Sequence, residues 1–140
     1  MKIIEQLLKE RFELSVDEDL QYDKAKIQLT KKFLQFCSDE LGLYKKFTCK
    51  IVSDRKSNGL TTLAYYMIGD GLIVVYGKDR MLGDIMRSIA HELTHHKQFQ
   101  EDRLNDPSVG DDGTEIENEA NAVAGVIMRK FGKKHQEIYQ

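Results

Sequence analysis

An α+β fold is expected for this chain, on three observations. Helical periodicity marks both ends, apolar runs fill the middle, and glycine-containing turns separate those runs. At 140 residues, with 31% charged and 41% apolar side chains, the chain has the size and balance of one globular domain spanning residues 1–140.

Ile3, Ile4, Leu7, Leu8 and Phe12 recur at helical spacing and predict a first amphipathic helix over residues 2–13. A polar break follows at Ser15 to Asp19. A second helix is expected from Asp23 to Leu41, with Asp23 as its cap and Gly42 as its stop. Phe47 to Val52 reads as a strand, and Asp54 to Gly59 is rich in turn formers, sharpest at Asn58-Gly59. Leu60 to Ile68 reads as a second strand, Gly69-Asp70-Gly71 as a tight turn and Leu72 to Tyr76 as a third strand. Two successive hairpins imply a small three-stranded antiparallel sheet. Helical periodicity returns from about Met81 to Arg103. A loop with Pro107 and Gly110 then leads to a last helix near Gly113 to Phe131.

The net charge of −2 shows no polybasic footprint, so nucleic acid is not an expected partner. The segment MKIIEQLLKERFEL is too charged for a signal peptide, and no window approaches a membrane span. A soluble, cytoplasmic protein is the expectation. Cys37 and Cys49 have neither metal-ligand nor redox spacing; they read as isolated thiols, with a single disulfide between them as the alternative.

The chemistry concentrates in His91-Glu92-Leu93-Thr94-His95, an HExxH pattern inside a predicted helix. On a helical wheel Leu82, Ile85, Met86, Ile89 and Leu93 form one apolar face. His91 and His95 lie roughly 40° apart, well away from that face, so both can reach one Zn²⁺. Glu92 falls between the histidines and the stripe, placed to work on water at the metal. His96 falls on the core side and reads as a packing residue. His135 sits in a charged tail and has little claim on a metal.

A third ligand of suitable type lies downstream, in Glu115-Ile116-Glu117-Asn118-Glu119-Ala120-Asn121. Ile116, Ala120, Val123, Ala124, Ile127 and Phe131 mark the buried stripe of the last helix. Glu117 lies roughly 65° from its centre, Glu119 about 95° and Glu115 about 135°. A carboxylate reaching a metal between packed helices belongs at the stripe's edge, which favours Glu117 and leaves Glu119 as the alternative. Asp112 can cap this helix with Glu115 as reciprocal partner; a competing box pairs Thr114 with Glu117.

His-Glu-Leu-Thr-His followed by Glu117-Asn-Glu-Ala-Asn121 resembles the gluzincin zinc peptidases, and is especially similar to the minigluzincins and the ImmA/IrrE group. The resemblance covers about residues 85 to 128. It implies a zincin-like domain with N-terminal helices, a small sheet, an active-site helix and a C-terminal glutamate helix. It further implies that His91, His95 and Glu117 bind zinc, that Glu92 is the catalytic base, and that Asn121 supports a ligand histidine. The family's mixed sheet borders the cleft with an edge strand, a place that suits Leu72 to Tyr76. Two departures stand out: Lys97 occupies a position that is usually apolar, and no basic recognition helix is present.

The expected function is therefore hydrolysis of peptide bonds in a protein or peptide substrate, with Glu92 taking the proton of water. Tyr65, Tyr66, Tyr76 and Tyr139 are candidate hydrogen-bond donors to the reacting carbonyl, and Leu72 to Tyr76 is a candidate strand for substrate addition. The alternatives are a zinc-binding regulatory or interaction protein of the same fold, with the Asp-rich loop 105–112 partly closing the cleft, and a metal-free helical domain. A regulatory protein partner is compatible with so small a domain.

Overall fold

The computed structural model describes residues 11–104 and 114–140. The chain runs through strand β1 (Phe12–Val16), a short 3₁₀ turn (Glu18–Leu20), helix α1 (Lys24–Leu41), and strands β2 (Phe47–Val52), β3 (Ala64–Met67) and β4 (Leu72–Tyr76). Helices α2 (Leu82–Gln100) and α3 (Glu115–Lys134) follow, and a 3₁₀ turn (Gln136–Tyr139) closes it. The architecture is α+β.

Local chemistry accounts for several boundaries. The Asp23 carboxylate accepts the Lys26 backbone N–H at 2.8 Å and caps α1, as its sequence position suggested. Gly42 ends α1 in the left-handed conformation, at φ 64°. The strands Phe47–Val52 and Leu72–Tyr76 have the expected bounds, whereas the strand expected over Leu60 to Ile68 shrinks to Ala64–Met67.

The amino-terminal expectation is corrected. Phe12 belongs to β1, and so do Ser15 and Val16, which the sequence assigned to a break. The reason is period two: Phe12, Leu14 and Val16 are half-buried while Glu13 and Ser15 are exposed. Residues 2–10 of the expected first helix lie outside the described residues, as do Pro107, Gly110 and the rest of loop 105–112.

The sheet is also different from expectation. It is mixed and four-stranded, in the order β1-β2-β4-β3. β1 pairs parallel with β2, with α1 as the crossover, and β2 pairs parallel with β4. Only β3 and β4 form an antiparallel pair. The long β2–β3 connection, with Gly59 at φ 71°, carries β3 past β4 instead of folding it back on β2. Leu72–Tyr76 is consequently internal, and β1 and β3 are the edge strands, β3 being the one beside β4.

Alternation along the strands sets the layers. Phe47, Cys49, Ile51, Ile73 and Val75 face the main core with Phe33, Leu34 and the apolar stripe of α2, Ile85, Met86, Ile89 and Leu93. Val52 and Val74 form a small cluster with Leu60 on the opposite face. α2 packs against α1, α3 and the β3–β4 pair. Cys37 and Cys49 are free and buried. Among the described residues, no helix is long and apolar enough to cross a membrane.

Candidate metal centre

The apolar stripe that seats α2 turns His91 and His95 toward α3. Their rings stand nearly perpendicular, 4.9 Å apart. From α3, the Glu117 carboxylate meets both: Oε1 lies 2.6 Å from His91 Nε2, and Oε2 lies 3.1 Å from His95 Nε2. The three side chains offer donor atoms within 4.8 Å of one another and can hold a metal ion.

Glu119 does not share this site. Its carboxylate is taken by Arg103, with Nη1 at 2.9 Å and Nη2 at 3.0 Å, and by Gln98. The Arg103 hydrogen bonds hold its pKa below the usual carboxylate value. Glu115 is exposed. The helix cap differs from the preferred reading: Thr114 is the cap, its hydroxyl accepting the Glu117 N–H at 3.3 Å, and Asp112 lies outside the described residues. Capping uses the Glu117 backbone, so its carboxylate still reaches the histidines.

Gln98, which sequence reasoning missed, sets the tautomer of neutral His95. Its Nε2 donates to the Ile116 carbonyl at 3.0 Å and to Glu119 Oε1 at 3.1 Å. Both partners only accept, so the amide orientation is determined by chemistry. Gln98 Oε1 therefore accepts from His95 Nδ1, 2.8 Å away. A neutral His95 with its proton on Nδ1 presents a lone pair at Nε2, toward a carboxylate oxygen. That contact is repulsive unless a proton or a metal cation lies in it. Burial opposes the proton, holding the His95 pKa below its ordinary value. A cation satisfies the lone pair and the carboxylate together. The signal for Gln98 was present on the helical wheel, three positions after His95.

Glu92 is buried, 8% exposed. Burial, reinforced by the Glu117 carboxylate, raises its pKa to about 8. It lines a cleft of about 610 Å³ together with His91, His95, Glu117 and Asn121. A larger hollow of about 1030 Å³, bordered by Lys26, Lys32 and Glu137, lies elsewhere and contains none of the cluster. Asn121 is exposed and makes no hydrogen bond to a histidine among the described residues; it is Gln98 that hydrogen-bonds His95.

His96 lies on the core side, as the wheel placed it, and is 1% exposed. Its Nε2 is 2.9 Å from the Lys45 carbonyl, which only accepts, so Nε2 carries the proton. Its Nδ1 then accepts from the Tyr66 hydroxyl at 2.7 Å. The Tyr66 proton is committed, and so is that of Tyr65, which donates to the Asn58 carbonyl at 3.2 Å. Both rings line the cleft, yet neither hydroxyl has a hydrogen left for a substrate carbonyl. Tyr76 and Tyr139 are not in the cleft lining, and Tyr139 lies against Gly83 and Gly132. His135 stacks on Phe131 at 4.3 Å, away from the cluster.

No family model, curated protein or solved structure matches this chain.

Proposed function

We propose that this chain is a zinc-dependent peptidase of the gluzincin type, in which His91, His95 and Glu117 hold the metal and Glu92 is the general base. The observation that carries the reading is the convergence of His91, His95 and Glu117, with Gln98 holding His95 Nδ1 so that Nε2 faces the Glu117 carboxylate. Two imidazole nitrogens and one carboxylate are a donor set that suits zinc and leaves a fourth position open. The bound ion supplies Lewis-acid polarisation of the carbonyl and lowers the pKa of water to about 7.

The chain's own residues supply the rest. Glu92 sits beside the cluster in a water-poor setting that favours its protonated form, so it can take a proton from water and pass it to the leaving amine. Gln98 keeps His95 in the tautomer a metal needs. β3 has no partner on its outer side among the described residues, and Ala64, Tyr65 and Tyr66 line the cleft there. An extended peptide can add to that edge by main-chain hydrogen bonds.

Metal analysis after zinc-replete purification, joined to digestion of a peptide mixture, tests the reading. The expected outcome is bound zinc in both wild type and Glu92→Gln, with cleavage by the variant slower by roughly 10²- to 10⁴-fold. Protein without zinc, or equal cleavage by both forms, would sink it.

A further inference from the structure

The cleft contains a cation that the proposed chemistry does not use. Arg87 lies on α2 four residues before His91, so its side chain leaves the helix roughly 40° around from that histidine and about 6 Å back along the axis. It is exposed and lines the same cleft as His91, Glu92, His95 and Glu117. Its Nη1 lies 3.9 Å from the position a Cβ on Gly125 would take, so the guanidinium reaches across to α3 over a residue with no side chain.

Four arginines have partners, and Arg129, on α3, lies outside the cleft lining. Arg11 faces Asp39, Arg55 and Arg80 hold backbone carbonyls, and Arg103 holds Glu101 and Glu119. Arg87 makes no hydrogen bond or ion pair with any described residue. Among the described residues of the cleft lining, the acids are Glu92 and Glu117. Glu117, with Glu92 when it is ionised, at most balances a divalent cation, so among the described lining residues Arg87 adds a positive charge that no acid offsets. Apolar Leu63, Ile68 and Leu104 share the walls and strengthen any ion pair formed when a ligand displaces water.

Resting on the peptidase reading, we propose that Arg87 binds a carboxylate of the peptide substrate, one or two residues from the bond that is cut, and so selects peptides carrying an acid there. The guanidinium fork matches a carboxylate with two parallel hydrogen bonds. An extended chain advances about 3.3–3.6 Å per residue, which fits the separation of Arg87 from His91 along the helix. The carboxylate is either the peptide's own C-terminus or an Asp or Glu side chain.

The test uses one mixture of short peptides in three forms: free C-terminus without acidic side chains, amidated C-terminus without acidic side chains, and amidated with Asp or Glu at successive positions. Cleavage by zinc-loaded wild type, Arg87→Ala and Arg87→Lys is followed by mass spectrometry. Binding of fluorescently labelled versions is measured in a Glu92→Gln background, with and without Arg87→Ala. Melting temperature and bound zinc identify any variant that has not folded.

Wild type should prefer one acid-bearing form over the plain amide, and Arg87→Ala should reduce that ratio by roughly 10- to 100-fold. Arg87→Lys should recover part of it, as a point charge without the fork. Preference for the free C-terminus identifies that source, and preference for a side-chain acid identifies the other. Cleavage without acid preference, or a preference that survives Arg87→Ala, overturns this inference and leaves the peptidase reading intact. Arg87-dependent binding of acid-bearing peptides without cleavage upholds carboxylate recognition and overturns the peptidase reading. Neither binding nor cleavage overturns both.

Discussion

His95 and His96 are neighbours in sequence, and the two sides of α2 treat them in opposite ways. His96 faces the sheet, where both ring nitrogens meet neutral partners, the Lys45 carbonyl and the Tyr66 hydroxyl, and nothing remains for a ligand. Even the approach of the backbone is fitted to it. Gly71 has φ 61°, and a Cβ there would sit 2.7 Å from the Lys46 carbonyl and 3.5 Å from the His96 ring. His95 faces α3, where one nitrogen is fixed by Gln98 and the other is aimed at the Glu117 carboxylate. A satisfied histidine is structural. A histidine whose remaining nitrogen faces an acid needs a proton or a metal cation between them.

The strongest way to break this contrast is to remove the acid. Glu117→Gln should abolish zinc retention through purification, a larger loss than the roughly 10- to 100-fold that removing an outer partner costs. Competition with a chelator of known affinity measures it, and undiminished zinc affinity would mean that Glu117 is not a ligand. Gln98→Ala sharpens the contrast by freeing the His95 tautomer. A fall of roughly 10- to 100-fold in zinc affinity is expected, with helix content unchanged by circular dichroism. A variant that binds zinc as tightly as wild type would remove Gln98 from the account.

The smallest effect belongs to the sheet side. His96→Phe should leave zinc binding in place and reduce stability by about 1–3 kcal/mol, because the Tyr66 hydroxyl and the Lys45 carbonyl lose their partner. Denaturant unfolding in the presence of chelator measures this without a metal contribution. Burial holds the His96 pKa below its ordinary value, so the unfolded chain takes up the proton first as pH falls. The stability due to neutral His96 is complete about one unit above the ordinary imidazole pKa of about 6.5 and declines as pH falls from there. The difference between wild type and His96→Phe should therefore shrink between about pH 7.5 and about pH 5.5. Loss of zinc from His96→Phe, or a difference that grows on acidification, would contradict the structural role.

Within single elements the sequence determined a great deal. Periodicity placed α1 and α2 to within about three residues, put Ile85, Met86, Ile89 and Leu93 in the core, and set His91 and His95 on one face with His96 on another. The wheel on α3 also ranked Glu117 above Glu119. These features are legible because side-chain direction repeats with the backbone, so local spacing encodes which face is buried. Relations between elements are a different matter. The parallel pairing of β2 with β4, the internal place of Leu72–Tyr76 and the edge position of β3 depend on how a long connection crosses the sheet, and no local pattern carries that. β1 was hidden because its period of two is short and directly follows a helical pattern. The engagement of Glu119 by Arg103, and the orientation of Gln98 by the Ile116 carbonyl, arise only when α2 and α3 pack side by side. Hydrogen-bond direction at His95 is a property of that packing, and it is what separates a pair of helical histidines from a candidate metal centre.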